Sequence, residues 1–329
     1  MSQPVVEIVR AGMLTTVQDL GRPGFAGFGV SPAGAMDAVA HRLANVLLGN
    51  RENAAGLEIT GPGAELRFLR AHRFALVGAD LGATLNGVPL PARFVGEAAA
   101  GARLGFALRR QGARVSCALA GGLAVTRFFA SASTDLGGGL GGGVLRAGVT
   151  LSVIDGDAAP GSGAAGSTLA QLLQPFATLF ANRPGRLRYV AEPDAGAGVA
   201  AQAAFGQQSF RVSPRSNRTG FRFEGTPLPS RADPDRLSEP TAPGAIQLPP
   251  DGLPIVLMAD RNTTGGYPRL GHLISADRPR AAQLWPGDEV RFVAVSLTAA
   301  LAAARRQEAL VARALAAITR AQIRAARRA

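Results

Sequence analysis

The sequence predicts a mainly β protein: two barrel domains, few helices and a C-terminal helix rich in arginine. Short apolar or alternating runs recur along most of the chain, at spacings that suit barrels or sandwiches rather than β-α-β units. Turn-forming residues separate them, with 42 glycines and 22 prolines among 329 residues, enough to reverse the chain at short intervals. A weak internal echo suggests one architecture used twice. Ser133-Thr134-Asp135 precedes a glycine run, and Ala147-Gly148 then opens a strand. In the second half Asn262-Thr263-Thr264-Gly265-Gly266 is followed by Pro286-Gly287-Asp288, which opens another.

Taken in order, the expected strands include 65–69, 74–77, 103–108, 115–120, 150–154, 187–190, 255–258 and 289–295. One internal helix stands out because Met36, Val39, Leu43, Val46 and Leu47 share a face. Asp37 lies in its first turn and Gly49-Asn50 stops it. Residues 155–167 have the composition of a linker, which divides the chain into domains at 1–170 and 171–298. The remainder, 299–329, is rich in Ala and Arg and reads as a helix. Arginines 305, 306, 313, 320, 324, 327 and 328 stand there against one acid, Glu308. Such a helix either packs an Ala/Leu face on the barrel or meets an acidic partner subunit.

All 35 basic residues are arginine, which excludes a Schiff-base lysine, a phosphate-loop lysine and a biotinyl-lysine from this chain. The formal charge of +12 is spread without aromatic interleaving or a recognisable motif, so no nucleic-acid partner is expected. The one cysteine, Cys117, lies in an alternating run, permits no disulfide within one chain and reads as a small buried hydrophobe. His41, His72 and His272 lack metal-ligand spacing, so no metal site is expected, and His41 reads as structural. The N-terminus carries no secretory pattern, and no run approaches the ~18 apolar residues of a membrane helix. The expectation is a cytoplasmic protein without membrane contact.

The centre of the site is expected at Asp260-Arg261-Asn262-Thr263-Thr264-Gly265-Gly266-Tyr267-Pro268, directly behind the apolar run 255–258. Polar groups on a glycine-containing loop at a strand end are a common way to build a substrate site. Asp260 reads as a base or an orienting group, Asn262 as a holder of an amide or carboxyl, and Tyr267 as a donor to a developing oxyanion. Thr264, Gly265 and Gly266 complete the loop, with Glu239 and Gln247 upstream. Further forward, the polar and glycine-rich stretch carrying Gln18, Asp19, Arg22 and Ser31 leads to Asp37 at the helix start. These residues either receive a carboxylate or phosphate or cap turns and the helix, Ser31 among the caps. Ser133 and Thr134 lead into the glycine run 137–143, which either wraps a ligand with backbone N–H groups or forms a hairpin loop. Arg218, near Arg215, reads as part of an anion clamp, while Arg222 between Phe221 and Phe223 points to solvent.

These segments, in this order, resemble the biotin-dependent carboxyltransferase-like family, which spans the C-type subunits of 5-oxoprolinases, proteins labelled allophanate hydrolase subunit 2 and the carboxyltransferase region of urea carboxylase. The matching pieces are TTVQDLGRPG, GVSPAGAMD, LEIT with GPG, SAST, SNRTGFRFEG, GAIQLPPDGLPIVLMAD, TTGGYP and AQLWPGDEVRF. The resemblance implies two cyclophilin-like β-barrel domains, a companion subunit of related fold and a further 5-oxoprolinase subunit. It implies ATP-driven opening of 5-oxo-L-proline to L-glutamate, with ATP bound on this chain or with a partner and no biotin attached here. Alternatives are the carboxyltransferase component of a biotin-dependent, urea-type carboxylase and a non-enzymatic regulatory partner. In each enzymatic case the resemblance places a small amide substrate against Asp260, Asn262 and Tyr267. Departures from the family are Asn262 where a glutamine is common, Thr219 where a methionine is common, and Pro240 after Glu239.

Overall fold

The computed structural model describes residues 3–154, 172–176, 185–192, 196–230 and 236–327. The expected linker at 155–167 and the boundary near residue 170 lie outside the described residues. The first half contributes β1 (Pro4–Ala11), β2 (Leu14–Gln18), β3 (Gly56–Thr60), β4 (Ala64–Phe68), β5 (His72–Asp80) and β6 (Ala83–Leu85). It continues with β7 (Val88–Pro89), β8 (Phe94–Ala98), β9 (Arg103–Phe106), β10 (Gln111–Leu119) and β11 (Thr150–Ser152). They form two antiparallel sheets, ordered β11-β1-β4-β9-β6-β7 and β2-β3-β10-β5-β8. Strand alternation turns Ile8, Leu66, Phe68 and Leu104 of one sheet toward Leu57, Ile59, Phe74 and Val115 of the other, making one core.

The opposite face of the second sheet is also covered. Ala75, Val77, Val95 and Ala118 meet the internal helix α1 (Ala38–Leu47) through Val39, Leu43 and Leu47. Burial on both faces is why 74–77 reads as an unbroken apolar run. The helix itself starts later than the periodicity suggested. Asp37 is its N-cap and accepts the Ala40 amide at 2.9 Å, while Met36 lies before the helix and fills the core of the second half. A side-chain acceptor at the cap satisfies a first-turn amide, so the cap is Asp37 and not Ser31.

In the second half the strands are β12 (Arg186–Ala191), β13 (Ser209–Val212), β14 (Gly220–Glu224), β15 (Glu239–Pro240) and β16 (Ala245–Gln247). β17 (Ile255–Leu257), β18 (Thr264–Gly265), β19 (Arg269–Leu273) and β20 (Glu289–Ala294) follow, with helices α2 (Val199–Phe205) and α3 (Arg278–Ala282). Seven strands close a barrel in the order β12-β19-β16-β17-β14-β13-β20, and β15 pairs β18 as a separate ribbon. An aromatic core fills the barrel: Tyr189, Phe205, Phe210, Phe223 and Phe292, with Phe205 and Phe292 stacked at 4.6 Å between ring centroids. Arg222 is exposed between two buried phenylalanines, as alternation requires.

The C-terminal helix α4 (Leu297–Ala326) spans both halves. Its first turns set Ala300 and Ala303 against Ile274 and Ala276, and later turns set Val311, Leu315 and Ile318 against α1. Gln322 donates to the Val46 and Leu47 carbonyls at 2.8 and 3.1 Å. Arginines 305, 306, 313, 320, 324 and 327 are exposed, and Arg328 lies outside the described residues. No described helix is long and apolar enough to cross a membrane.

Candidate active site

Two buried polar clusters meet where the halves join. The first grows from the end of β2. Gln18 and Asp19 are carried inward because β2 pairs β3 along its length, a strand that the polar, glycine-rich reading of this stretch did not foresee. Asp19 Oδ1 accepts the Ser131 and Ser133 hydroxyls, each at 2.6 Å, and the Gly21 amide at 2.8 Å; Oδ2 accepts the Ala132 amide at 2.7 Å. Burial works against its charge, but the two hydroxyls and the amides prevail and hold the carboxyl below the usual carboxylate range. Gln18 Nε2 donates to Thr134 O at 3.1 Å and to Thr16 Oγ1 at 3.0 Å. Arg22 Nη2 donates to Ser133 O and its Nε to Phe128 O. Two atoms of this cluster, Gln18 Oε1 and Arg22 Nη1, are buried with no hydrogen-bond partner among the described residues.

The segment that delivers Ser131 is strained. Phe129 and Ala130 both adopt positive φ, 51° and 63°, a region that side chains other than Asn and Asp seldom occupy. Gly21 is needed for a different reason: at φ 88° it lies so close to the loop before α1 that a Cβ would sit 2.5 Å from Pro32 O. The glycine run after Thr134 has an internal acceptor. Gly137 and Gly138 amides donate to the Asp135 carboxylate at 3.2 and 3.1 Å, so those N–H groups close a turn within the chain.

The second cluster crosses the junction. Arg218, two residues before β14, is almost wholly buried and places Nε and Nη2 on the two oxygens of Asp260 at 2.9 and 2.8 Å. Its Nη1 grips Glu58 of β3, and Nη2 also donates to Gly34 O at 2.7 Å. Burial opposes this charge, yet Glu58 and Asp260 raise the Arg218 pKa above the ordinary arginine range. Glu58 Oε2 accepts the Met36 amide at 2.7 Å. Beside it Gln283 satisfies both ends of its amide: Oε1 accepts the Ala113 and Arg114 amides at 2.9 Å, and Nε2 donates to Asp37 Oδ2 at 2.8 Å and Arg114 O at 3.0 Å. Burial pushes Asp37 up to about 6 and Arg114 down to about 10. The clusters touch through the Ser31 hydroxyl, which donates to Ala259 O at 3.3 Å, and through the field of Asp260 at Arg22.

The residues expected at the site therefore separate into three places. Gln18, Asp19, Arg22, Ser133 and Thr134 share the first cluster; Asp37, Arg218 and Asp260 share the second; Ser31 links them. Asp260 has both oxygens held by Arg218, so its carboxylate fixes the loop behind β17. Asn262, Thr264 and Tyr267 are exposed beyond it, Tyr267 with 45% of its surface accessible. Gly265 admits the buried Gln247 amide, which a Cβ there would meet at 2.5 Å. Glu239 lies across the ribbon from Gly265 and is engaged by Arg236 at 3.1 Å and by Arg269. Sequence reasoning missed Glu58, Arg114 and Gln283. The available signal was one acid inside the buried run of β3.

Two sheets over one core and a closed barrel, joined at this polar seam, are an architecture shared with a solved urea carboxylase. The chain belongs to the family described as carboxyltransferase domain, subdomain A and B, which matches residues 28–294. Over 315 residues it is 40% identical to the 5-oxoprolinase C-type subunit of Escherichia coli, covering 92% of this chain and 96% of that one. It is 32% identical to the corresponding 5-oxoprolinase component of Haemophilus influenzae over the same shares of the two chains. Among solved structures, the urea carboxylase of Kluyveromyces lactis superposes with a TM-score of 0.84 at 26% identity. That match covers 95% of this chain but only 29% of the larger enzyme.

Proposed function

We propose that this chain is the C-type subunit of an ATP-dependent 5-oxoprolinase, a cytoplasmic complex that hydrolyses 5-oxo-L-proline to L-glutamate with partner subunits, one of related fold. The observation that carries the reading is the end-to-end similarity to the 5-oxoprolinase C-type subunit of Escherichia coli, at 40% identity over 96% of its length. The site chemistry supports it. Hydrolysis adds water to the lactam carbonyl, breaks the C–N bond and leaves the nitrogen protonated. The exposed Tyr267 hydroxyl is a donor suited to the developing oxyanion, and Asn262 offers both a donor and an acceptor to an amide or carboxyl group. Asp260 acts here as a positioning residue, holding the base of that loop through Arg218. Gln18 Oε1 and Arg22 Nη1 add one unused acceptor and one unused donor, the complements of a lactam N–H and C=O.

ATP is the reagent implied for the assembled complex. At the glycine run the Gly137 and Gly138 amides are committed to the Asp135 carboxylate. The test is glutamate release from 5-oxo-L-proline with ATP, using this chain co-expressed with the products of its genomic neighbours. ATP-dependent glutamate that vanishes when this chain is omitted is the expected result; none from an intact complex overturns it.

The structural likeness to urea carboxylase favours one second reading, a carboxyltransferase component fed by a separate biotin protein. Biotin would have to be carried elsewhere, since the chain has no lysine. Activity that avidin abolishes separates this reading from the first.

A further inference from the structure

Beside Asp260, lined by its neighbours Ala259 and Arg261, a cleft of about 560 Å³ opens between the two halves and α4, within the size range of small-molecule sites (about 300–1,000 Å³). Its walls are largely apolar, with Leu20, Pro23, Met36, Val39, Leu257 and Met258 among them. Three arginines, Arg42, Arg261 and Arg278, line it against one acid, Glu308. Arg42 is satisfied: it pairs with Glu52 at 2.6 Å and with Glu308 at 2.8 Å. Gln307 is also occupied, donating to Ala276 O at 2.8 Å.

Arg261 and Arg278 differ from every other charge in this seam. Among the described residues neither guanidinium has a carboxylate within ion-pair distance or donates a side-chain hydrogen bond. Arg261 keeps only 5% of its accessible surface, and its Nε is buried without a partner. The two are close enough that the positive field of Arg278 adds to burial in lowering the Arg261 pKa. Burying one unpaired guanidinium is costly, and setting a second beside it adds repulsion. By contrast, Glu58 and Asp260 pair directly with the guanidinium of Arg218. Here the space in front of them is open cleft.

We propose that this cleft binds a small molecule bearing a carboxylate or a phosphate, its anionic head at Arg261 and Arg278 and its apolar body against the Leu257 and Met258 wall. A planar guanidinium pair suits either head group, since both present oxygens for paired N–H donors. The cleft takes in Arg261 at the base of the Asp260 loop but neither Asn262 nor Tyr267, and the assignment does not depend on the oxoprolinase reading.

Calorimetric titration of the full-length chain with benzoate and with phenyl phosphate, which share an apolar body and differ in head group, tests the assignment. Saturable binding of at least one probe is expected, and the tighter of the two names the head group of the natural ligand. Arg278→Gln should weaken that binding by about tenfold or more, and added salt should weaken it further. Arg261→Gln should lose it altogether. Should Arg261→Gln fail to fold, the less buried Arg278→Gln decides alone, with circular dichroism as its folding control. Absence of saturable binding for both probes, or equal affinity in Arg278→Gln and in the exposed control Arg222→Gln, overturns the proposal.

Discussion

Arg218 and Glu58 form an ion pair across the junction of the two halves, while the remaining guanidinium nitrogens of Arg218 hold both oxygens of Asp260 at 2.9 and 2.8 Å. One side chain just ahead of β14 thereby anchors a strand of the first half and the loop that presents Asn262 and Tyr267. Buried ion pairs are costly to break because the partner left behind remains charged and dry.

Arg218→Met should therefore destabilise the protein by about 3–5 kcal/mol, read as a shift in urea unfolding. The loop of Asn262 and Tyr267 should become more open to limited proteolysis. A loss below about 1 kcal/mol would place the pair among ordinary surface contacts.

Tyr267 should separate chemistry from stability. Its ring is exposed and packs no core, so Tyr267→Phe should leave the melting temperature unchanged. In the reconstituted complex kcat for glutamate release should fall about 10²–10³-fold if the hydroxyl meets the oxyanion. A full-rate Tyr267→Phe enzyme would remove that role.

Asp37 gives a pH signature with a definite sign. Its carboxyl is pushed up by burial to about 6 from an ordinary 3.8, so the folded state holds this proton more tightly than the unfolded chain. Its contribution is fully present below the unfolded value and is lost as pH rises through about 6. At most that is about 3 kcal/mol. Asp37→Asn keeps a capping oxygen but cannot ionise. The stability difference, wild type minus variant, should fall between pH values of about 4 and 6. A flat difference across that range would assign the titration to another group.

Ile318→Ala tests whether α4 is part of the core. Ile318 is fully buried against α1, and truncating such a residue costs about 2–5 kcal/mol. Exposed Arg320→Ala, two residues on, should cost within about 0.5 kcal/mol. Equal effects of the two changes would mean that the helix is only loosely attached.

Much of the fold was legible because it depends on local pattern. The expected strands at 65–69, 115–120 and 289–295 fall on β4, β10 and β20, since alternation and flanking glycines are properties of neighbours in sequence. Burial of Cys117 and His41 followed from the same periodicity. The start of α1 was misjudged by two residues because Met36 is apolar for the sake of a different core. β2 was hidden by its polar composition: Thr15, Thr16 and Gln18 are buried, but hydroxyls and an amide do not register as a strand face.

The site was legible only in part. Gln18, Asp19, Ser133 and Thr134 were named from two segments that composition alone could not join. Asp135, within the second of those segments, supplied the unforeseen acceptor for the glycine run. Glu58 went unnoticed because its partner is 160 residues away.

The sequence by itself determined many of the strands, the two long helices, the absence of lysine chemistry and the family to which the chain belongs, all of which reside in residue identity and short-range order. The tertiary structure decided which charges are spent on one another and which are left free. Asp37 meets Gln283 across 246 residues, Arg218 meets Glu58 and Asp260, and Arg261, lining the cleft, meets no carboxylate among the described residues. A hydrogen bond or ion pair forms only within a few ångströms, and only the folded chain brings such distant positions that close.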